Sequence, residues 1–205
     1  MQFNIEQTTT TDAVIKDIVT AFVDSHGRAG THTTDCLLCL RKASWDRHDP
    51  LPPTPDEILY YVLGLGLQQT LGISARVSKV VDGVILSPDY WDEEKLVLLE
   101  LKTTRISPKR IKQFAFPKHW LKQVMAYCYG FGVRRCSLLI LTLIQPDLIP
   151  ITCTFTTEEL QKNWDMILWN ASLLQSTTPM FLPQGEEWEC KYCRYALRCK
   201  VAKRM

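Results

Sequence analysis

The stretch that decides the fold is Lys79-Val-Val-Asp-Gly-Val-Ile-Leu-Ser-Pro-Asp-Tyr-Trp-Asp-Glu-Glu-Lys-Leu-Val-Leu-Leu-Glu-Leu-Lys-Thr-Thr104. Two apolar runs flank a polar break at 89–95, a pattern that predicts a β-hairpin with a long loop. Asp82 and Glu100 stand symmetrically about the loop centre, so pairing without a bulge would place them opposite each other, with Cβ atoms about 4.5–5.5 Å apart. Lys102 shares the face of Glu100 because side chains alternate along a strand.

Two opposed carboxylates repel each other unless a proton or a cation lies between them. The apolar run 96–99 indicates burial on both faces of the strand, where charges are usually paired or functional. A divalent ion held by Asp82 and Glu100 would resolve this conflict, since Mg²⁺ takes one or two carboxylates together with waters and phosphate oxygens. This favours metal-assisted phosphodiester hydrolysis, with Lys102 orienting the nucleophile or stabilising negative charge. An ordinary exposed strand face is the alternative.

Composition favours a single domain inside the cell, in the cytoplasm. A chain of 205 residues suits one domain with a substantial core, and a net charge of +2 says little about partners. The polar N-terminus and the lack of a long apolar window predict neither a signal peptide nor a membrane span. Eight cysteines in an intracellular chain favour a metal or cluster site over a disulfide framework.

The order of periodic segments predicts an α/β fold. Helical patterns cover about 12–25, 36–45, 54–71, 118–129 and 156–174, and strand patterns cover about 74–86, 95–103, 136–144 and 150–155. This order predicts a mixed sheet flanked by helices.

Asp82 followed by Glu100-Leu101-Lys102 resembles the PD-(D/E)xK nuclease signature. Gln123 and Tyr127 lie four residues apart on a predicted helix and therefore share one of its faces. With the preceding signature, they resemble the Gln-x-x-x-Tyr helix of RecB-type nucleases. The resemblance implies that Gln123 supports the metal-site water or Lys102, and that Tyr127 helps to hold the strand being cut. A solvated helix stripe is the alternative.

Gly64-Leu-Gly-Leu-Gln68 resembles the Gly-x-x-x-His segment of the same nucleases, in which the His contacts the metal. Gln68 stands in the His position, which makes it a third candidate metal residue beside Asp82 and Glu100. A Gln amide oxygen can bind a hard cation weakly or through a water, but it cannot act as a base. Helix packing with an incidental Gln is the alternative.

Three cysteines at the C-terminus, Cys190, Cys193 and Cys199, need a fourth ligand to complete a zinc or iron-sulfur site. Cys36 and Cys39 are the nearest candidates by type. The segment that begins at Cys39, Cys-Leu-Arg-Lys-Ala-Ser-Trp, resembles the Cys-Pro-Arg-Lys-aromatic segment of CRISPR-associated RecB-like exonucleases, with Leu in place of Pro. In that family, as in AddB-type nucleases, such a cysteine set carries an iron-sulfur cluster, so the resemblance implies a 4Fe-4S cluster on Cys39, Cys190, Cys193 and Cys199.

A basic segment without acidic residues follows the strand of Glu100. It contains Arg105, Lys109, Arg110, Lys112, Lys118 and Lys122, interleaved with Phe114, Phe116, His119 and Trp120. Basic groups follow phosphates and aromatic rings stack on unpaired bases, so the segment predicts DNA binding, to which the resemblance adds Tyr127. A solvated charged face is the alternative.

The combined resemblance covers 39–199 and implies a restriction-endonuclease-like fold. It implies a single nuclease domain over 1–205, with a core at about 55–175 and an iron-sulfur subdomain from 31–50 plus 176–205. The expected activity is a Mg²⁺- or Mn²⁺-dependent deoxyribonuclease, an exonuclease on single-stranded DNA ends. CRISPR spacer acquisition with integrase proteins as partners is the expected context, and a homo-oligomer stays open.

Two other functions compete with this expectation. One is a catalytically weakened DNA-binding or assembly module. The presence of Gln68, where the related nucleases have a His, favours it. The other is a viral or repair nuclease of the same superfamily.

Overall fold

A computed structural model describes residues 29–72, 77–176 and 178–202. Its helices are α1 (Thr33–Leu37), α2 (Leu40–His48), α3 (Pro55–Thr70), α4 (Pro108–Lys112), α5 (Lys118–Phe131), α6 (Thr157–Ser176), α7 (Glu187–Lys191) and α8 (Ala196–Ala202). Its strands are β1 (Thr31–His32), β2 (Lys79–Val81), β3 (Val84–Leu86), β4 (Tyr90–Asp92), β5 (Val97–Thr104), β6 (Arg135–Thr142) and β7 (Asp147–Thr154). The predicted helix over 12–25 and the first residues of the strand predicted from 74 lie outside the described residues.

The larger sheet has four strands in the order β4-β5-β6-β7. β5 and β6 run parallel, whereas β4 and β7 are antiparallel to their neighbours. Parallel neighbours need a crossover connection, and here it contains α5. The strand predicted at 136–144 is confirmed as β6. The strand predicted at 150–155 is confirmed as β7, which begins earlier than expected and lies at the edge of the sheet. The prediction of a mixed α/β sheet flanked by helices is therefore confirmed.

The stretch quoted first forms two hairpins where the sequence predicted one. β2 and β3 pair through the two-residue turn Asp82-Gly83, whose φ angles of +48° and +79° suit a type I′ turn. β3 also pairs with β1, which completes a small three-stranded sheet. β4 and β5 form the second hairpin, in which Tyr90 faces Leu99. The predicted pairing of Asp82 with Glu100 is therefore wrong, because the chain already reverses at Asp82.

Helix starts follow the capping signals in the sequence. Thr54 is the N-cap of α3, with Pro55 as the first helical residue, and its side chain accepts a hydrogen bond from the Glu57 backbone N–H at 3.3 Å. Thr156 and Glu159 form a capping box at the start of α6: the Glu159 N–H donates to the Thr156 hydroxyl at 3.1 Å, and the Thr156 N–H donates back to the Glu159 carboxylate at 2.8 Å. These local bonds fix where each helix enters the core.

The core lies between the sheets and the helices α5 and α6. α5 contacts β3, β5, β6 and α6. The buried side chains of this layer include Val84, Leu86, Leu98, Val124, Leu138, Ile140, Trp164 and Ile167. Full burial of an aliphatic side chain of this size contributes about 1.5–3 kcal/mol, so this layer holds α5 firmly against β5.

The C-terminal segment packs on α2 and on the start of α3. Arg194 forms an ion pair with Asp46 and donates to the Glu57 carboxylate at 2.9 Å. The centroid of the buried Tyr195 ring lies 5.2 Å from the centroid of the Trp45 ring. The Tyr195 hydroxyl donates a hydrogen bond to the Asp46 carboxylate at 2.6 Å. The helix predicted over 36–45 is two helices, α1 and α2, because the backbone is extended between them. No helix within the described residues is long and apolar enough to cross a bilayer.

Candidate active site

β5 presents Glu100 and Lys102 on one face, as the alternation predicted. Glu100 is only 3% exposed. Lys102 Nζ donates to Glu100 Oε1 at 2.7 Å. The two charges therefore form a buried ion pair in the middle of the sheet rather than an exposed strand face.

α5 adds Gln123 and Tyr127 to this pair. Lys102 Nζ donates to Gln123 Oε1 at 2.8 Å. Gln123 Nε2 donates to Glu100 Oε1 at 3.0 Å and to the Tyr127 hydroxyl at 2.7 Å. Both helix side chains are buried, so the alternative of a solvated stripe is wrong. The predicted shared face of Gln123 and Tyr127 is confirmed, and it is turned towards Glu100.

The environment of Glu100 makes its carboxyl harder to ionise than usual. Its pKa is raised to about 7, mainly by burial; the Lys102 ammonium lowers the pKa, and the nearby charge of Asp89 raises it. Its Oε2 atom is buried and has no hydrogen-bond partner within the described part of the chain. A buried acceptor left unpaired is destabilising, so this atom is the natural contact for a cation.

Asp89 stands beside Glu100 at the start of the second hairpin. Its Oδ2 accepts a hydrogen bond from the Leu101 backbone N–H at 2.7 Å, which anchors the carboxylate against β5. Its Oδ1 accepts from Gln68 Nε2 at 2.5 Å. Gln68 therefore reaches the acidic site from α3, but it does so as a hydrogen-bond donor to Asp89.

Asp82, the aspartate predicted to face Glu100, lies elsewhere. It is exposed in the β2–β3 turn, where its Oδ2 accepts a hydrogen bond from Trp164 Nε1 at 2.9 Å. The sequence reasoning missed Asp89, although Pro88-Asp89 supplies the dipeptide with which the PD-(D/E)xK signature begins, eleven residues before Glu100. The signal against Asp82 was the following Gly83, since Asp-Gly favours a two-residue turn.

All six basic residues predicted to bind DNA lie wholly or partly open to solvent: Arg105, Lys109, Arg110, Lys112, Lys118 and Lys122. Three of them lie on α4, where Lys112 Nζ pairs with Asp147 at 2.8 Å. The Arg105 guanidinium lies over the Tyr60 ring, 5.3 Å from its centroid. Exposure is common to a solvated face and to a DNA-binding surface, so DNA contact stays a prediction.

The four cysteines predicted to hold the cluster line one cavity of about 160 Å³, namely Cys39, Cys190, Cys193 and Cys199. The Cys39 backbone N–H donates to the Glu189 carboxylate at 2.9 Å, which ties the two ends of the described chain together. Burial raises the pKa of the Cys193 thiol, and the nearby thiols of Cys39 and Cys199 raise it further. Cys36 lines a different cavity and is fully buried.

Neither of these two sites is a complete metal-binding group. Among residues 29–72, 77–176 and 178–202, no three His, Cys, Asp or Glu side chains are arranged so that they could hold a metal ion. Asp89 and Glu100 supply two carboxylates, and the four cysteines share a cavity without being gathered into such a group.

Comparisons with known proteins bear on the fold. No protein-family profile matches the chain, and no curated protein sequence is significantly similar to it. The crystal structure of SSO0001 aligns over 95% of this chain and 98% of its own, with 20% identity and a TM-score of 0.61. An alkaline exonuclease from Laribacter hongkongensis, LHK-Exo, aligns over 98% of this chain and 90% of its own, with 10% identity and a TM-score of 0.38. The first match establishes a shared fold along nearly the whole chain.

Proposed function

We propose that the chain is a metal-dependent DNA nuclease. The observation that carries the proposal is the buried Glu100 carboxylate, with Oε2 unpaired within the described residues, between Asp89 and Lys102. Two acids and a lysine that meet at one place on β5 match the chemistry expected for phosphodiester hydrolysis.

Asp89 and Glu100 are the residues that would hold Mg²⁺ or Mn²⁺. Their oxygens suit a hard cation, and two carboxylates leave room for waters and phosphate oxygens. A cation at Glu100 Oε2 would relieve both the unpaired acceptor and the repulsion between the two acids. When bound, the ion would lower the pKa of a water and neutralise phosphate charge.

Lys102, Gln123 and Tyr127 would position the groups around the acids. Lys102 Nζ is held between Glu100 and Gln123 and still carries a third donor hydrogen. That donor would orient the attacking water or stabilise charge on the phosphate oxygen. Gln123 fixes the orientation of the Glu100 carboxylate, and Tyr127 fixes Gln123 in turn.

The expected substrate is DNA with single-stranded ends, cut as an exonuclease. The basic residues on the surface that follows β5 support this, because cations near the scissile strand would follow its phosphates. The context of CRISPR spacer acquisition, with integrase proteins as partners, rests on the sequence resemblance and belongs to the same proposal.

A 4Fe-4S cluster on Cys39, Cys190, Cys193 and Cys199 is the second part of the proposal. The shared cavity supports it, and four thiolate donors are the ligand set of such a cluster. Zinc in the same cysteine set is the competing cofactor.

A DNA-binding or assembly module with a weakened site is the second candidate. Gln68 favours it, because its amide donates to Asp89 through Nε2 and could offer a cation only its amide oxygen, where the related nucleases have a His. The presence of Asp89, Glu100, Lys102 and Gln123 in one cluster favours the nuclease.

The direct test is cleavage of end-labelled single-stranded DNA in Mg²⁺ or Mn²⁺. The proposal predicts metal-dependent products from the wild-type protein and a loss of about 10²-fold or more in Glu100→Gln and in Lys102→Ala. Cleavage that survives in both folded variants contradicts the nuclease site. DNA binding without cleavage by the wild-type protein supports the second candidate.

A further inference from the structure

The middle of α3 exposes an unusual amount of apolar surface. Five consecutive side chains, Leu59, Tyr60, Tyr61, Val62 and Leu63, are each between 40% and 51% exposed. Consecutive residues point all round a helix, so they cannot be explained as one buried stripe. Exposed apolar surface of this kind commonly marks a place where another molecule binds.

One face of this helix leads to the candidate active site. Tyr60, Gly64 and Gln68 follow one another at intervals of four residues, so they lie along the same face over roughly 12 Å. Gln68 ends the row with its hydrogen bond to Asp89, and Tyr60 begins it under the Arg105 guanidinium. The row therefore runs from the exposed Tyr60 ring and the Arg105 guanidinium to the Asp89 carboxylate.

Gly64 leaves this row open in its middle. A Cβ atom built at Gly64 would have no atom within 4 Å. A glycine inside a helix costs about 1 kcal/mol against Ala, and here close packing against the rest of the described chain does not account for it. The open space lies between Tyr60 and Gln68, where an approaching ligand would meet helix backbone.

We propose that Tyr60, Gly64 and Arg105 form a track on which a single strand of DNA lies as it enters the site at Asp89 and Glu100. This inference rests on the proposed nuclease function and names the surface that would deliver its substrate. An unpaired base stacks on the open face of Tyr60, Arg105 contacts the adjacent phosphate, and the absence of a side chain at Gly64 lets the strand approach the helix.

Charge and shape favour a single strand as the occupant. Arg105 belongs to the basic segment that continues through α4, so the track is continuous with a cationic surface. Stacking between a base and an aromatic ring needs a base free of its partner strand, and it contributes about 1–3 kcal/mol per base.

The second glycine of the helix provides a matched control. A Cβ atom built at Gly66 would likewise have no atom within 4 Å, but two residues along an α-helix turn it about 200° away from Gly64. Leu at either position replaces a poor helix former with a good one, so Gly64→Leu and Gly66→Leu should both raise Tm. Only Gly64→Leu fills the track.

The experiment measures binding of fluorescein-labelled oligodeoxythymidylate by anisotropy in EDTA, which separates binding from cleavage. We expect about tenfold weaker binding for Gly64→Leu and for Tyr60→Leu, no more than about a twofold change for Gly66→Leu, and retained binding for Tyr60→Phe. Equal binding by wild type, Gly64→Leu and Tyr60→Leu overturns the track, as does equal weakening by Gly66→Leu.

Parallel cleavage assays in Mn²⁺ separate this inference from the nuclease proposal. A wild-type protein that cleaves DNA, together with Gly64→Leu and Tyr60→Leu variants that bind and cleave as well as it does, refutes the track and leaves the nuclease standing. A wild-type protein that binds but does not cleave, with binding lost in the two track variants, supports the track and refutes the nuclease.

Discussion

Gln68 donates its side-chain amide to the Asp89 carboxylate at 2.5 Å, which joins α3 to the acidic site. A second bond, from the Leu101 backbone N–H at 2.7 Å, holds the other oxygen of Asp89. Asp89 is thus fixed by a helix on one side and by β5 on the other. The Asp89 carboxylate has little freedom to move away from Glu100, so the fold holds the two carboxyl groups close together.

Replacing Gln68 by His should strengthen metal binding. The related nucleases carry a metal-contacting His at this position, a neutral imidazole nitrogen can ligate a metal, and Gln68 already approaches Asp89. We expect Gln68→His to bind Mn²⁺ more tightly in isothermal titration calorimetry and to raise the cleavage rate. Gln69→His, at the exposed neighbouring position, is the control. Identical Mn²⁺ affinities for the two variants would reject Gln68 as a metal-facing residue.

The buried Glu100 should make the metal-free protein less stable as the pH rises. Its folded pKa is about 7, above the ordinary 4.5, so the folded protein keeps a proton that the unfolded chain has already released. The free energy of unfolding should therefore fall as the pH rises from 4.5 towards 7, by up to about 3 kcal/mol. The Gln side chain of Glu100→Gln does not titrate, so the stability of this variant should lack this pH dependence.

Urea unfolding in EDTA, from about pH 5 to about pH 8, compares the two proteins. The free energy of unfolding of Glu100→Gln relative to that of wild type should increase over this range. Added Mn²⁺ should restore the stability that the wild-type protein loses at the higher pH, because the ion binds the ionised carboxylate. Parallel pH profiles for wild type and variant would show that Glu100 does not titrate with a raised pKa in the folded protein.

Asp82 should matter for stability and not for chemistry. Asp82→Ala places a β-carbon without a polar group at a φ of +48° and removes the acceptor of the buried Trp164 N–H. These two losses should lower the free energy of unfolding by about 2 kcal/mol. Asp82→Asn keeps an acceptor and tolerates the backbone angle, so it should stay close to wild type. An Asp82→Ala protein as stable as wild type would contradict this role.

Substitutions of Cys36 and of Cys39 should have different effects. Cys39 lines the cavity shared with Cys190, Cys193 and Cys199, whereas Cys36 does not. Protein purified without oxygen should be brown, and Cys39→Ala should be colourless and less stable, because ligand binding at such a site contributes to folding. Cys36→Ala should stay brown.

Visible absorbance and metal analysis check the cysteine prediction. A brown Cys39→Ala beside a colourless Cys36→Ala would reverse the choice of ligand. Colourless wild-type protein with one zinc would leave the cysteine set standing and reject the iron-sulfur cluster.

Local signals made most of the fold predictable. The cap of α3 at Thr54, the capping box of α6 and the buried strand β6 all follow from side-chain chemistry within a few residues. The pairing of Glu100 with Lys102, and of Gln123 with Tyr127, was also predictable, because alternation along a strand and the four-residue spacing of a helix fix which side chains share a face. Each of these inferences needs only the geometry of one element.

Strand pairing was the part that the sequence analysis got wrong. Asp82 and Asp89 both precede Glu100 by a number of residues that a hairpin could contain. Which of them lies beside Glu100 depends on where the chain reverses. The symmetry of the apolar runs suggested a reversal near residue 91, whereas the Asp82-Gly83 turn reverses the chain earlier. Register depends on turn geometry, so one overlooked Asp-Gly pair led to the prediction that Asp82, instead of Asp89, lies beside Glu100.

The most direct test of the account compares two aspartates in one assay. Initial rates of Mn²⁺-dependent cleavage of end-labelled single-stranded DNA are measured for wild type, Asp89→Asn and Asp82→Asn, with unfolding curves to confirm that each is folded. The account predicts a loss of about 10²-fold or more for Asp89→Asn and a rate near wild type for Asp82→Asn. Full activity in folded Asp89→Asn, or loss of activity in folded Asp82→Asn, would contradict it.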